Sequence, residues 1–275
     1  MSSSTSADMR GISAASRDEV LQAVESTDAA SAAALGTELF SVVGVLDGAA
    51  ALRRVLTDPS TQAEAKKALA ASVFEGKISS QTLSVLSVAV GGRWAAGRDL
   101  TDGLETAGVA ALVASADAEG TLDDVETELF EVGQAIASDD ELRAVIADRT
   151  VPIEHRLTLV DRLFAGKVKG QTLDLVHQAV VGRAGSFERV LKGFGDLAAS
   201  RRDRVVALVR VAYDLGEDEQ ERLTSALAAR YGRGVHLNIV VDPSVVGGIA
   251  VSVGSEVVDG TMSSRLEAAR RQLAG

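Results

Sequence analysis

The sequence has no cysteine, which removes disulfides and thiolate-held metals from consideration. Aromatic residues fill only 3% of its 275 positions. A core must therefore be built from Ala, Leu and Val, side chains that suit closely packed helices. Histidine occurs three times, at His155, His177 and His236, each without a second ligand at helical spacing, so solvated surface positions are expected. Lys and Arg are outnumbered by Asp and Glu, 28 to 39, for a net charge of -11. That balance argues against a general nucleic-acid binder, whose affinity comes from clustered cations on phosphates. No apolar run approaches the roughly 20 residues that cross a bilayer, and no direct membrane insertion is expected. The polar start, residues 1–10, lacks the basic and apolar regions of a secretory signal and reads as a disordered tail.

A phosphate loop is missing too. Gly76-Lys77 and Gly166-Lys167 would each need a glycine five residues earlier and a hydroxyl residue directly after the lysine. Those places hold Ala71 and Ile78, or Asp161 and Val168, and helix termination is the better reading of both pairs. Gly247-Gly248 lacks dinucleotide-loop spacing and precedes a strand. Asp123-Asp124 and Glu217-Asp218-Glu219 fall at expected helix starts, where negative charge offsets the helix dipole. The Arg201-Arg202-Asp203-Arg204 run reads as a solvated hinge. No catalytic residue, cofactor site or metal site is expected.

What the chain does contain is itself, twice. Thr37-Glu-Leu-Phe40 returns at Thr127, Leu52-Arg-Arg-Val-Leu-Thr-Asp58 at Leu142, Phe74-Glu-Gly-Lys77 at Phe164 and Arg93 at Arg183, every pair 90 residues apart. A constant offset means a duplicated small domain with no insertion or deletion, since solenoid repeats are shorter. Each copy reads as helices, with apolar residues at three- and four-residue steps (Leu39, Val42, Val43, Leu46; Leu129, Val132, Ile136). Pro59 and Pro152 mark links between helices. Residues 99–118 lie where one copy finishes and the next begins, as one long helix serving both. In each copy a further helix carries an apolar face, Leu83, Leu86 and Val90 or Leu173, Val176 and Val180. Such a face is either core or part of an open groove that accepts a partner's amphipathic helix.

The period changes near Arg201. Val205, Ala207, Val209, Val211 and Tyr213 alternate as in a half-buried strand. Glu217 to Tyr231 has helical spacing, Val235 to Val241 alternates again, and Ile249 to Val253 forms a third strand. Gly254-Ser255 suits a two-residue turn into Glu256–Asp259, and a short basic helix follows, with Ser264 and Glu267 as a capping box. The expected fold is α+β overall: two tandem all-α bundles followed by a small α/β domain. The boundaries are a tail at 1–10, bundles at 11–100 and 101–200, and the α/β domain at 201–275.

The tract from Val235 to Leu273 carries a recognisable pattern: Asp242-Pro243, Gly247-Gly248-Ile249, Val253-Gly254, then Val257-Val258-Asp259-Gly260 and Leu266. It resembles the delta subunit of bacterial proton-translocating ATP synthase, the counterpart of the mitochondrial oligomycin-sensitivity-conferring protein. The chain departs from that pattern with Ser255 before its acidic residue and with Thr261 where Ser is usual. Its duplicated helical domain looks like the extended form of high-GC Gram-positive bacteria. The resemblance implies a non-catalytic stator, peripheral at the cytoplasmic face of the cell membrane. In the family, a helical domain binds N-terminal helices of the alpha subunits and the C-terminal domain binds the ends of the b subunits. The copy nearer the C-terminal domain is preferred for the first role. A helical scaffold of another multiprotein complex is the alternative.

Overall fold

The computed structural model describes residues 11–183, 185–202, 205–213, 215–232, 234–241, 245, 248–253 and 256–259. Among them the chain is mostly helix, with one small sheet. It divides into two compact units, Met1–Ala199 and Ser200–Gly275.

The first unit runs α1 (Ile12–Glu25), α2 (Ala29–Gly48), α3 (Ala50–Thr57), α4 (Ala63–Phe74), α5 (Ser80–Gly91), α6 (Gly97–Ala118), α7 (Leu122–Ser138), α8 (Asp140–Ala147), α9 (Ile153–Phe164), α10 (Gly170–Val181) and most of α11 (Phe187–Arg202). Helices α3, α4 and α5 begin and end 90 residues before α8, α9 and α10. The local devices repeat at the same offset. The Asp58 carboxylate accepts the Ser60 amide and hydroxyl at 2.8 and 2.7 Å, and Asp148 accepts those of Thr150 at the same distances. These turns satisfy backbone donors at the entry to the next helix. Gly76 and Gly166 stop α4 and α9 with φ of 75° and 74°, a left-handed geometry that side chains resist.

A carboxylate on another helix holds the start of α5 and of α10. Glu38 Oε2 accepts the Ser79 amide at 2.9 Å and the Thr82 hydroxyl at 2.5 Å. Glu128 Oε2 accepts the Lys169 amide at 2.8 Å and the Thr172 hydroxyl at 2.5 Å. Burial pushes the Glu38 carboxyl up, but its bonds from Thr82 and Ser79 outweigh that and hold it below the ordinary range. A second repeated pair is cationic. Lys66 sends its ammonium to the Gly92 carbonyl at 3.3 Å, and Arg156 sends its guanidinium to the Ile146 and Val180 carbonyls, both at 3.1 Å. Each neutralises the carbonyl end of a helix, where unpaired acceptors gather.

Two apolar clusters fill the helical unit, and α6 feeds both. Leu100, Leu104, Ala107 and Ala111 belong to the first, with Leu39, Leu46 and Leu86. Val109, Leu112, Val113 and Ala116 belong to the second, with Leu129, Leu175 and Phe194. Helix α2 packs along α6 at Gly36 and Gly108. A Cβ on Gly36 would meet Leu112 Cγ at 2.7 Å and the Gly108 carbonyl oxygen at 2.9 Å. The two backbones approach because neither residue has a side chain. One expectation fails here: α2 is 20 residues long and apolar enough, by length and composition, to span a bilayer. Its apolar stripe, with Leu35, Leu39, Val42, Val43 and Leu46 all buried, packs into the core. The interior of this unit demands the composition that a membrane also selects.

The second unit contains β1 (Val205–Val211), α12 (Glu217–Tyr231), β2 (Val235–Val241), β3 (Ile249–Val253) and β4 (Glu256–Asp259), with sheet order β2-β1-β3-β4. Parallel pairing of β1 with β2 needs a crossover, which α12 supplies. Strand β3 runs antiparallel to β1 and to β4. Ala207, Val209, Val211, Leu227, Val235 and Val251 make the core. Tyr213 does not continue the alternation: β1 ends at Val211, and the Tyr213 ring is exposed. Arg201 and Arg202, read from sequence as hinge, still belong to α11.

Gly36→Ala is expected to destabilise the helical unit by about 1–3 kcal/mol, the usual cost of an overpacked contact. Gly44→Ala, on the same helix with nothing within 4 Å of its added Cβ, should stabilise it by roughly 0.5–1 kcal/mol. Urea unfolding of both variants checks the opposite signs.

Candidate functional site

Of the faces read from sequence as either core or partner groove, four residues are core. Leu86 and Val90 belong to the first cluster, and Val176 and Val180 to the second. Leu83 and Leu173 are half-buried. The reason is the packing of their helices: α5 lies against α1, α2, α4 and α6, and α10 against α2, α6, α7 and α9. Among the C-terminal signature residues, Gly248 has φ of 85°, the left-handed region that favours glycine. Asp259 ends β4, paired in register with Ala250. Asp242, Pro243, Gly247, Gly254 and Gly260 lie outside the described residues, as do the turn at Gly254-Ser255 and the final helix.

An open groove exists elsewhere, between α7 and α11. It has a volume of 390 Å³ and is lined by Leu129, Phe130, Gly133, Leu191, Gly195 and Ala199. Its origin is a difference between the copies. Ninety residues earlier, Gly36 and Gly108 let α2 and α6 close, and Phe40 packs on Gly108. In the second copy those positions hold Glu126 and Ala198, and α11 buries the bulky Phe187, Leu191 and Phe194. Phe130, the counterpart of Phe40, is left 67% exposed. The signal was present in the repeat alignment, as a glycine pair lost from a helix crossing while the phenylalanine was kept.

Arg183 forms a second feature. Gly182 ends α10 in the left-handed conformation, and the Arg183 side chain then enters the helical unit, 7% exposed. It pairs with Asp47 at the end of α2, with Asp102 at 3.0 Å and with Glu105 at 2.8 Å, and donates to the Thr101 hydroxyl at 2.6 Å. Gln178 donates to the other Glu105 oxygen at 2.5 Å. Burial pushes the Glu105 and Asp102 carboxyls above the ordinary range, with Arg183 working against it. Burial would lower Arg183, but Asp47, Glu105 and Asp102 outweigh it, and the guanidinium stays charged. The counterpart, Arg93, is exposed. The sequence matches the two arginines; the acidic partners of Arg183 sit on other helices.

His155 is exposed, while His177 bonds through Nε2 to Asp161 at 2.8 Å and is not simply solvated. Among the described residues no group of three or more His, Asp or Glu side chains could hold a metal ion. Among the described residues the geometry presents surfaces and a buried ion-pair cluster around Arg183.

A profile of the ATP synthase delta (OSCP) subunit matches residues 109–273. "ATP synthase subunit delta" of Thermobifida fusca is 43% identical over 97% of this chain and 100% of its own length. The protein of the same name from Kineococcus radiotolerans is 40% identical over the full length of both. That of Streptomyces griseus is 42% identical over 94% of this chain and 95% of its own. A chain of the Toxoplasma gondii mitochondrial ATP synthase hexamer covers 61% of this chain and 95% of its own length, at 19% identity and a TM-score of 0.29. That likeness is too slight to bear on the arrangement of the helices.

Arg183→Ala leaves Glu105 and Asp102 buried without their cation, and is expected to cost about 3 kcal/mol at neutral pH. The folded pKa of both carboxyls is raised, so their contribution to stability is present below the unfolded value and is lost as pH rises through the folded one. Arg183 offsets that loss. The deficit of the variant should therefore shrink as pH falls and the two raised carboxyls take up protons. Thermal unfolding of wild type and variant at successively lower pH tests the sign.

Proposed function

The chain belongs to the ATP synthase delta (OSCP) subunit family, and on that premise we propose that it is a stator linking the alpha subunits of the catalytic head to the b subunits of the peripheral stalk. The observation that carries this is identity of about 40% running the whole length of delta subunits. The chain is a non-catalytic part of a membrane-associated enzyme complex. A turning central shaft would drag the head round unless something outside it resisted. Resistance needs several interfaces engaged together, because linked contacts make complete release rare. It needs no reacting side chain.

The helical unit reads as two tandem bundles that share α6, the first ending and the second beginning along it. The constant 90-residue offset of helix bounds and of capping contacts supports that reading. The second bundle lies in the stretch matched by the family profile, which begins at residue 109. We assign it the binding of alpha-subunit N-terminal helices. The α/β unit is assigned the ends of the b subunits, and the assembly a place at the cytoplasmic face of the membrane.

Purification through a tag on this chain from gently solubilised membranes should bring alpha and b subunits with it, and the isolated chain should not hydrolyse ATP. Unrelated soluble partners in their place would favour a scaffold of another complex. Deleting the residues after Gly247 should weaken b binding at least about tenfold more than alpha binding. Equal losses, with circular dichroism showing the helical unit intact, would overturn the division of roles.

A further inference from the structure

We propose that the cleft where α3 and α6 meet the ends of α8 and α10 binds a phosphoryl chain, a diphosphate or triphosphate group gripped by Arg53, Arg98 and Arg149. The stator role neither requires nor implies such a ligand.

The cleft has a volume of 410 Å³, within the roughly 300–1,000 Å³ of small-molecule sites. Its lining holds four arginines, Arg53, Arg98, Arg149 and Arg183, against one acid, Asp47. Four cations less one anion leave a local surplus of three positive charges, in a chain whose net charge is -11. The Arg183 guanidinium is engaged by Asp47, Asp102 and Glu105. The other three are less fully neutralised. Arg149 donates to the Gly182 carbonyl at 2.6 Å and, among the described residues, meets no carboxylate. Arg98 donates to the next carbonyl, that of Arg183, at 2.5 Å, and stands 3.5 Å from Asp102, an acid it shares with Arg183. Arg53 is 3.3 Å from Asp47, shared in the same way. A guanidinium has five donors, so each of these three side chains keeps donors unused.

The cations are held in place by the fold. Carbonyls of two consecutive residues fix Arg149 and Arg98 on one short stretch of backbone. Like charges brought together repel, and an anion between them reverses the sign. The start of α6 adds to the field. Its N-cap, Ala96, supplies no side-chain bond, and Arg53 lies along Gly97 with Nε 3.6 Å from where a Cβ would stand. A cation beside the positive end of a 22-residue helix favours an anion there. Planar guanidinium forks match phosphate oxygens two at a time. A phosphoryl chain carries acceptor oxygens on every phosphorus, enough for three forks at once, whereas a single carboxylate satisfies one. The repeat does not duplicate this site: 90 residues away, Arg98 is matched by Glu188 and Arg149 by Pro59.

The test is calorimetric titration of the full chain with tripolyphosphate in magnesium-free buffer. One equivalent should bind with a Kd of about 1 mM or tighter. Arg149→Gln and Arg98→Gln should each weaken binding about tenfold, the loss of one charge-assisted pair. Arg54→Gln removes an exposed arginine of α3 that does not line the cleft and should leave the affinity unchanged. Unfolding midpoints without ligand, equal to that of the wild type, show that the variants are folded. ATP distinguishes two sources of the same chemistry: binding tighter than tripolyphosphate assigns the cleft to a nucleotide, and equal binding assigns it to a free polyphosphate. No binding up to about 10 mM, full affinity in Arg149→Gln, or an equal loss in Arg54→Gln overturns the proposal. So does binding of sulfate as tight as that of tripolyphosphate, which would mean an adventitious ion only. Hexaglutamate binding as tightly would also overturn it, giving the cleft to an acidic protein segment.

Discussion

Helix α6 has to bury two faces at once, and the helical unit is organised around that demand. Its Leu100, Leu104, Ala107 and Ala111 face one apolar cluster while Val109, Leu112, Val113 and Ala116 face the other. A helix buried on both sides cannot carry large side chains all round without pushing its neighbours apart. Alanine and glycine on α6 answer that constraint, and Gly108 lets α2 approach until Gly36 touches it.

In the stator role proposed above, a helix shared by two bundles would have a mechanical consequence. Two bundles joined by a flexible linker would bend at the link. Helix α6 is buried between the two apolar clusters, and Arg183 ties the end of α10 to it and to the end of α2. Burying that cluster has an electrostatic cost, visible in the raised Asp102 and Glu105 carboxyls. What it contributes is registry: a planar guanidinium with several acceptors fixed around it admits few alternative arrangements.

Helices 90 residues apart match in their bounds, and single residues set their surroundings apart. Phe40 is covered and Phe130 is open; Gly36 closes a crossing and Glu126 sits in a groove; Arg93 is solvated and Arg183 buried. The bonds that set helix ends stayed alike, with Glu38 and Glu128 holding the same positions 90 residues apart. Local capping depends on residues near in sequence or in one conserved contact. Surface exposure depends on what lies opposite, and there the copies have different neighbours.

Most of the helices, their stops at Gly76 and Gly166, the constant 90-residue offset and the β1–α12–β2 pattern are legible in the residue order alone, because periodicity and turn chemistry are local properties; α1 and α11 are not. The sequence could not decide whether Leu86, Val90, Val176 and Val180 form core or an open surface, since an apolar stripe fits either place. Nor could it show Glu38 reaching Ser79, or Arg183 reaching Asp47 and Glu105. Those contacts join residues 41 to 136 positions apart, and only tertiary packing brings such groups within bonding distance.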